Sequence, residues 1–282
     1  VLRAWAHRLS LDWQLARLAG RRPAYLCSYP KSGRTWLRFI LGHYLVSAYR
    51  LPLDLDFDTL FTLLPNLSTS RRRGVRAFQF AGDARVPLLL SSHRDYEDAE
   101  FARGDPILLV REIRDVLVSS YFHASRQRRA TRRFHEDIKT FVRDPTRGVS
   151  RYISYHNAWA RALPGRRSLT MSYERVSREP ESAVADLLRF LGVPIDPQRL
   201  TEAVESSRFE RMRKTEIERG IGGVDYDRAD PEALRVRRGI VGGYGAYLDA
   251  EDSSYIEAAC RSHLDPLARQ WLAAHQAIDR DW

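Results

Sequence analysis

Tyr25-Leu26-Cys27-Ser28-Tyr29-Pro30-Lys31-Ser32-Gly33-Arg34-Thr35-Trp36 runs from an apolar stretch, through a short basic turn with one glycine, into a segment of helical character. A strand that meets a helix across such a turn leaves backbone N–H groups unsatisfied at the helix start, where the helix dipole adds positive charge. Lys31 brings a mobile full charge, and the hydroxyls of Ser32 and Thr35 bring neutral donors. The turn is therefore built for phosphate or a group close to it.

Outward from the turn, the chain alternates. Trp36 to about Tyr49 has the apolar density of a buried helix, and Val86 to Ser92, Pro106 to Arg111 and Arg167 to Tyr173 are short apolar runs. Runs of that kind suit parallel strands covered on both faces. Helical patterns lie between and after them, at Ile113–Phe122, Phe134–Val142, Val149–Leu163, Glu181–Leu191 and from Pro197 to about Ser206. Two more helices, near Asp252–His263 and Pro266–Gln276, close the chain. The fold class expected is α/β, a three-layer α/β/α domain with a mostly parallel central sheet and its ligands at the carboxyl ends of the strands. The stretch from Leu51 to Arg85 is read as loops and short helices at the rim of the site, and Lys214 to Leu234 as an aperiodic, mobile segment. Before Pro23, Leu2, Trp5, Ala6, Leu9, Trp13 and Ala16 share a helical face opposite basic residues, giving an amphipathic helix over residues 1–22. Such a helix suits contact with a membrane surface or partner, or packing on its own domain; the last is the expectation. Residues 23–282 are expected to form a single domain.

The 282 residues carry a formal net charge of +10 and only three lysines, Lys31, Lys139 and Lys214, among 46 basic side chains. Anionic partners are favoured in general. The cluster Arg71-Arg72-Arg73 lacks aromatic interleaving, so nucleic acid is not expected. Two cysteines, Cys27 and Cys260, do not make a disulfide framework. No apolar run reaches membrane-spanning length and no secretory signal is visible, so a soluble cytoplasmic protein is expected. No His, Cys, Asp and Glu cluster has metal-ligand spacing, so no metal is expected.

A Walker loop requires lysine directly after its second glycine. Here Lys31 precedes Gly33, which disfavours an ordinary ATPase or GTPase. The segment Tyr29-Pro-Lys31-Ser-Gly33-Arg-Thr35-Trp36 instead resembles the turn with which the PAPS-dependent sulfotransferases hold the 5′-phosphosulfate of 3′-phosphoadenosine 5′-phosphosulfate (PAPS). Arg111, with Ser119 eight residues on, resembles that family's pair for the nucleotide's 3′-phosphate. Ser172-Tyr173-Glu174 before Phe190-Leu191-Gly192 is similar to its Tyr-Glu-Asp segment. Ser207-Arg-Phe209-Glu-Arg-Met212 and Arg237-Arg238-Gly239 resemble its purine-packing and phosphate-closing segments. Five matches in order, over residues about 24 to 263, identify the chain as a member of the cytosolic type, with a bacterial source expected and a fold related to the P-loop nucleoside triphosphatases.

The resemblance implies transfer of a sulfuryl group from PAPS to a hydroxyl or amine, with PAP (adenosine 3′,5′-bisphosphate) as product. It implies nucleotide contacts at Lys31, Ser32, Gly33, Arg34, Thr35, Trp36, Arg111, Ser119, Tyr173, Ser207, Phe209, Met212, Arg237, Arg238 and Gly239. Lys31, His93 and Ser119 are the candidate catalytic residues, Lys31 at the leaving group and His93, which ends the second strand, as base. His43, His123 and His156 are read as structural. Three departures from the family stand out: Arg34 replaces a threonine, Ser91 a lysine, and Gly243-Tyr244 an Asp-Trp pair that anchors the last loop. Acceptor specificity is expected from residues 51–85, 125–151 and 215–236; the first holds Phe57, Phe61 and Phe78, the others are rich in Arg with Asp225, Asp227 and Asp230, and that mixture points to an amphipathic small molecule, lipid or glycolipid. The oligomeric state is open. A small-molecule kinase using ATP and an anion-binding scaffold are the rival readings.

Overall fold

The computed structural model describes residues 10, 11, 13–18, 20–126, 133–222 and 224–282. Strands β1 (Ala24–Cys27), β2 (Leu89–Ser92), β3 (Asp105–Val110) and β4 (Leu169–Ser172) form one parallel sheet in the order β2-β1-β3-β4. Every residue of β1, β2 and β3 is buried, as strands covered on both faces must be. The covering helices are α1 (Arg34–Tyr49), α2 (Ile113–Ser125), α3 (Val149–Ala162), α4 (Pro180–Leu191), α5 (Pro197–Ser206), α6 (Phe209–Arg219), α7 (Ala250–His263) and α8 (Pro266–Ala274). Seven of them fall into two groups: α1 packs on α4 and α5, and α3 packs on α2, α7 and α8. The three-layer parallel arrangement expected from the sequence is present.

Register places the site. Cys27 is level with Ser92 on one side and Leu108 on the other, and Val110 is level with Ser172. The carboxyl ends of all four strands therefore share one edge of the sheet. The turn to Lys31 continues from β1, His93 from β2, Arg111 from β3 and Tyr173 from β4, so all four leave that edge together.

The structure revises several local readings. Phe57, Phe61 and Phe78 are core residues, 3%, 9% and 9% exposed, and so do not supply an open apolar wall for an acceptor. Phe57 packs edge-on against Phe39 of α1. Phe61 lies under the guanidinium of Arg38, itself buried, which donates to the Leu64 carbonyl and to Asn66. Residues 65–67 in turn pair with Ser91, through Leu67 N to Ser91 O and Ser91 N to Pro65 O, both 2.9 Å, and cover the edge of β2. The helix read at Phe134–Val142 is Ile138–Arg143, started by Asp137 accepting from the Thr140 amide. The stretch 214–234 begins inside α6, and fully buried Glu216 accepts from the amides of Arg235 and Val236 at 2.7 and 2.8 Å. Of the N-terminal stripe, Leu2, Trp5, Ala6 and Leu9 lie outside the described residues. Trp13 and Ala16 are exposed, while Leu11 and Gln14 are buried. Both cysteines are buried free thiols. Among the described residues no helix is long and apolar enough to cross a membrane.

Candidate active site

The turn after β1 is shaped by two positive φ angles, 72° at Lys31 and 88° at Gly33. A left-handed lysine costs about 1 kcal/mol or more and persists only where its surroundings hold it. Here Arg111 Nη1 donates to the Lys31 carbonyl at 3.2 Å. Gly33 has a steric reason as well, since a Cβ there would sit 2.3 Å from Cδ2 of Tyr173. Helix α1 starts with no side-chain cap and no acidic residue in its first turn. Its leading amides are left for an anion.

Above the strand ends lies a cavity of about 480 Å³. Of the residues singled out from sequence, Lys31, Gly33, Arg34, Thr35, Trp36, His93, Arg111, Ser119, Tyr173, Phe209, Met212, Arg237, Arg238 and Gly239 line it. Ser32 and Ser207 do not; both are fully buried, with hydroxyls that lack a partner. Ser91, 2% exposed, is also absent from the lining. One end of the cavity is aromatic. Trp36 meets Tyr173 edge-on at 5.6 Å, its Nε1 donates to the Ser207 carbonyl at 2.9 Å, and Phe209 and Met212 line the wall from α6. A purine suits that end. Buried nitrogens without partners, Arg34 Nη1, Arg111 Nε and Arg237 Nε, belong to lining residues, and orphaned cationic donors of this kind fit an anionic ligand.

Two histidine rings lie near Lys31, one with its basic nitrogen open and the other with Arg235 against it. His93 Nδ1 lies 2.7 Å from the Ser28 carbonyl, which can only accept, so Nδ1 carries the proton and Nε2 keeps its lone pair. His93 keeps an exposed face, but desolvation by the surrounding cavity walls, and then the charge of Arg34, lower its pKa well below the usual value, so the ring is neutral at pH 7. His123 is different. Arg235, which can only donate, sits 2.9 Å from Nδ1 and 2.8 Å from Nε2, and burial together with Arg235 and Lys31 pushes the ring down to about 2. Lys31 itself is lowered to about 7, by burial first and then by Arg235, Arg111 and Arg237. Burial brings Arg34 down to about 10.

The loop after α6 closes the site. Gly239, at φ 67°, passes so near Phe209 that a Cβ would come within 2.6 Å of the ring. Beyond it, Asp115 of α2 accepts from the amides of Gly242 and Tyr244 at 2.9 and 3.0 Å, and lies 3.5 Å from Arg111. That carboxylate supplies the anchor that the missing Asp-Trp pair left in doubt. Arg111 also lies 4.2 Å over the Tyr173 ring and donates to the Ile240 carbonyl. Arg237 is tied to Glu232 at 2.9 Å and to the Tyr247 hydroxyl at 3.1 Å. Sequence reasoning missed Asp115, Ser177, Glu181, Glu205, Arg208 and Arg235 as lining residues. Asp115 carried a signal, since it is one helical turn from Arg111; Arg235 carried none, because Glu216 sets its position through the backbone.

The chain resembles known proteins over most of its length. The sulfotransferase domain family matches residues 21–268. Sulfotransferase 2A1 of Macaca fascicularis is 22% identical over 263 residues, 87% of this chain and 85% of that one. Among solved structures, mouse sulfotransferase SULT7A1 complexed with PAP superposes with a TM-score of 0.62 at 17% identity, covering 91% of this chain and 92% of the other. Retinol dehydratase in complex with androsterone and PAP superposes with a TM-score of 0.61 at 18% identity, covering 89% and 83%. The chain belongs to the sulfotransferase domain family, the PAPS-dependent sulfotransferases that its five motifs resemble.

Proposed function

We propose that the protein moves a sulfuryl group from PAPS to a hydroxyl or amine of a small acceptor, with Lys31 and His93 as the principal catalytic groups. One observation carries this reading: a single cavity holds an uncapped helix start with Lys31 and Thr35, a second cationic station at Arg111, Ser119 and Arg238, and the free Nε2 of His93. In this reading the two stations take the separate 5′ and 3′ phosphates of one nucleotide, which ATP does not carry. In this reading the acceptor oxygen bonds to sulfur as the bond from sulfur to the 5′-phosphate oxygen breaks, and His93 Nε2 takes the acceptor proton. Lys31 and the amides at Gly33 meet the charge that builds on the departing phosphate oxygen. Arg34, on the side of His93, offers further donors to the transferring group, and Ser119 assists at the 3′-phosphate.

Calorimetric titration with PAP and with ATP tests the donor site, and ATP binding as tightly as PAP overturns it. With a working acceptor, Lys31→Met is expected to lower kcat by about 10²-fold or more while PAP affinity changes by less. His93→Ala is expected to lower kcat by about 10²–10⁴-fold. Full turnover in His93→Ala at neutral pH would remove His93 from the mechanism.

A further inference from the structure

A second cavity, of about 370 Å³, meets the first at Lys31, which stands in the walls of both. If Lys31 faces the departing phosphate during sulfuryl transfer, an acceptor seated on its other flank presents its hydroxyl past Lys31 to His93, which stands in the wall of the first cavity only. Its floor is aromatic: Tyr29 is 4% exposed and Phe141 2%. Its charged residues all have one sign. Among the described residues, Lys31, Arg147 and Arg151 line it and no carboxylate does. Arg151 is answered by Asp95 at 2.9 Å. Arg147 makes no ion pair among the described residues; its guanidinium lies 5.4 Å over the Phe134 ring and its carbonyl accepts from the Tyr29 hydroxyl. Ser120 adds a buried hydroxyl with no partner. A cavity of this size takes a compound of one or two rings. Arg147 is exposed, and the Asp144 carboxylate feels its charge without pairing to it, so positive charge exceeds negative beside the aromatic floor and favours a body bearing an anion over a neutral one.

We infer that the acceptor is a small hydroxylated compound with a ring or similar apolar body and one anionic oxyacid group, and that Arg147 reads that group. The inference rests on the sulfuryl-transfer reading, and the test separates the two. PAP is first titrated into the protein, and then para-hydroxyphenylacetate and its neutral isostere para-hydroxyphenylacetamide are titrated into the PAP complex. The acid is expected to bind about tenfold more tightly than the amide, with the gap narrowing as salt is raised. Arg147→Gln is expected to erase the difference and Arg147→Glu to reverse it. Both variants keep the PAP affinity of the parent, because Arg147 lies outside the nucleotide cavity. Equal affinity of acid and amide, binding of neither up to millimolar concentration, or a preference untouched in both variants overturns the inference. Failure of PAP itself to bind overturns the donor reading instead.

Discussion

Lys31 is the residue on which both cavities and both readings turn, and its charge state is the first thing to test. In the ligand-free protein burial and neighbouring guanidinium groups bring its pKa from 10.5 to about 7. A bound 5′-phosphate reverses that balance and raises the pKa again. Above pH 7 the free protein therefore carries a largely neutral Lys31, and binding must take up a proton. PAP affinity is expected to weaken as pH rises through 7, by up to tenfold per pH unit until the pKa of the complex is reached. Titrations in two buffers of different ionisation enthalpy would show the proton uptake at pH 8, and Lys31→Met should abolish it. An affinity independent of pH from 6.5 to 9 in the parent protein would mean that Lys31 stays charged throughout. Arg34 belongs at this scale too. The residue lines the nucleotide cavity, its Nη1 is buried without a partner and its charge depresses His93.

At the scale of elements, the site is an edge of strand ends closed by one loop, and the loop hangs on Asp115. Two amide hydrogen bonds of 2.9 and 3.0 Å and the ion pair with Arg111 converge on that carboxylate, which is 4% exposed. Asp115→Ala leaves two amides without their acceptor, a loss of about 1–3 kcal/mol. PAP affinity is expected to fall about tenfold or more, with faster hydrogen exchange across residues 239–247; unchanged exchange there would mean that the loop is held by other contacts. Much at this scale was legible in the sequence. Four apolar runs became four parallel strands, and the stop at Gly192 is the left-handed cap of α4, at φ 69°. Other features were not. A phenylalanine run looks the same whether it faces a cavity or a core, and Phe57, Phe61 and Phe78 went to the core because Arg38 and residues 65–67 draw that segment onto α1 and β2. The placement of Arg235 depends on Glu216 nineteen residues earlier, a contact with no local periodicity. The second cavity gathers residues from the turn, α2, Phe141 and the start of α3, and no single stretch announces it.

For the whole molecule, charge and the N-terminal segment set the remaining expectations. The net charge of +10 is concentrated where it works: seven cationic side chains and three carboxylates line the nucleotide cavity. The described residues among the first twenty contribute nothing to that lining, and the family match begins at residue 21. They do contribute to the core. Leu11 is 4% exposed and Leu15 and Leu18 pack partly against the same cluster, while Trp13 on the other face is 56% exposed with Arg17 stacked over it. Burying one leucine and parts of two more is worth about 3 kcal/mol. At about 2–4 °C per kcal/mol in a chain somewhat smaller than this one, a protein starting at Arg21 is expected to melt on the order of 10 °C lower. Arg21 and Arg22 would remain, holding the Phe80 carbonyl and Asp105. The shortened chain should still unfold in one transition and bind PAP within about twofold of the parent, since the stabilisation it loses lies far from the site in sequence and outside its walls. Unfolding of the shortened chain at room temperature would make the first twenty residues an integral part of the domain. An unchanged melting temperature would instead mean that the segment does not rest on the core, leaving its apolar residues for another surface.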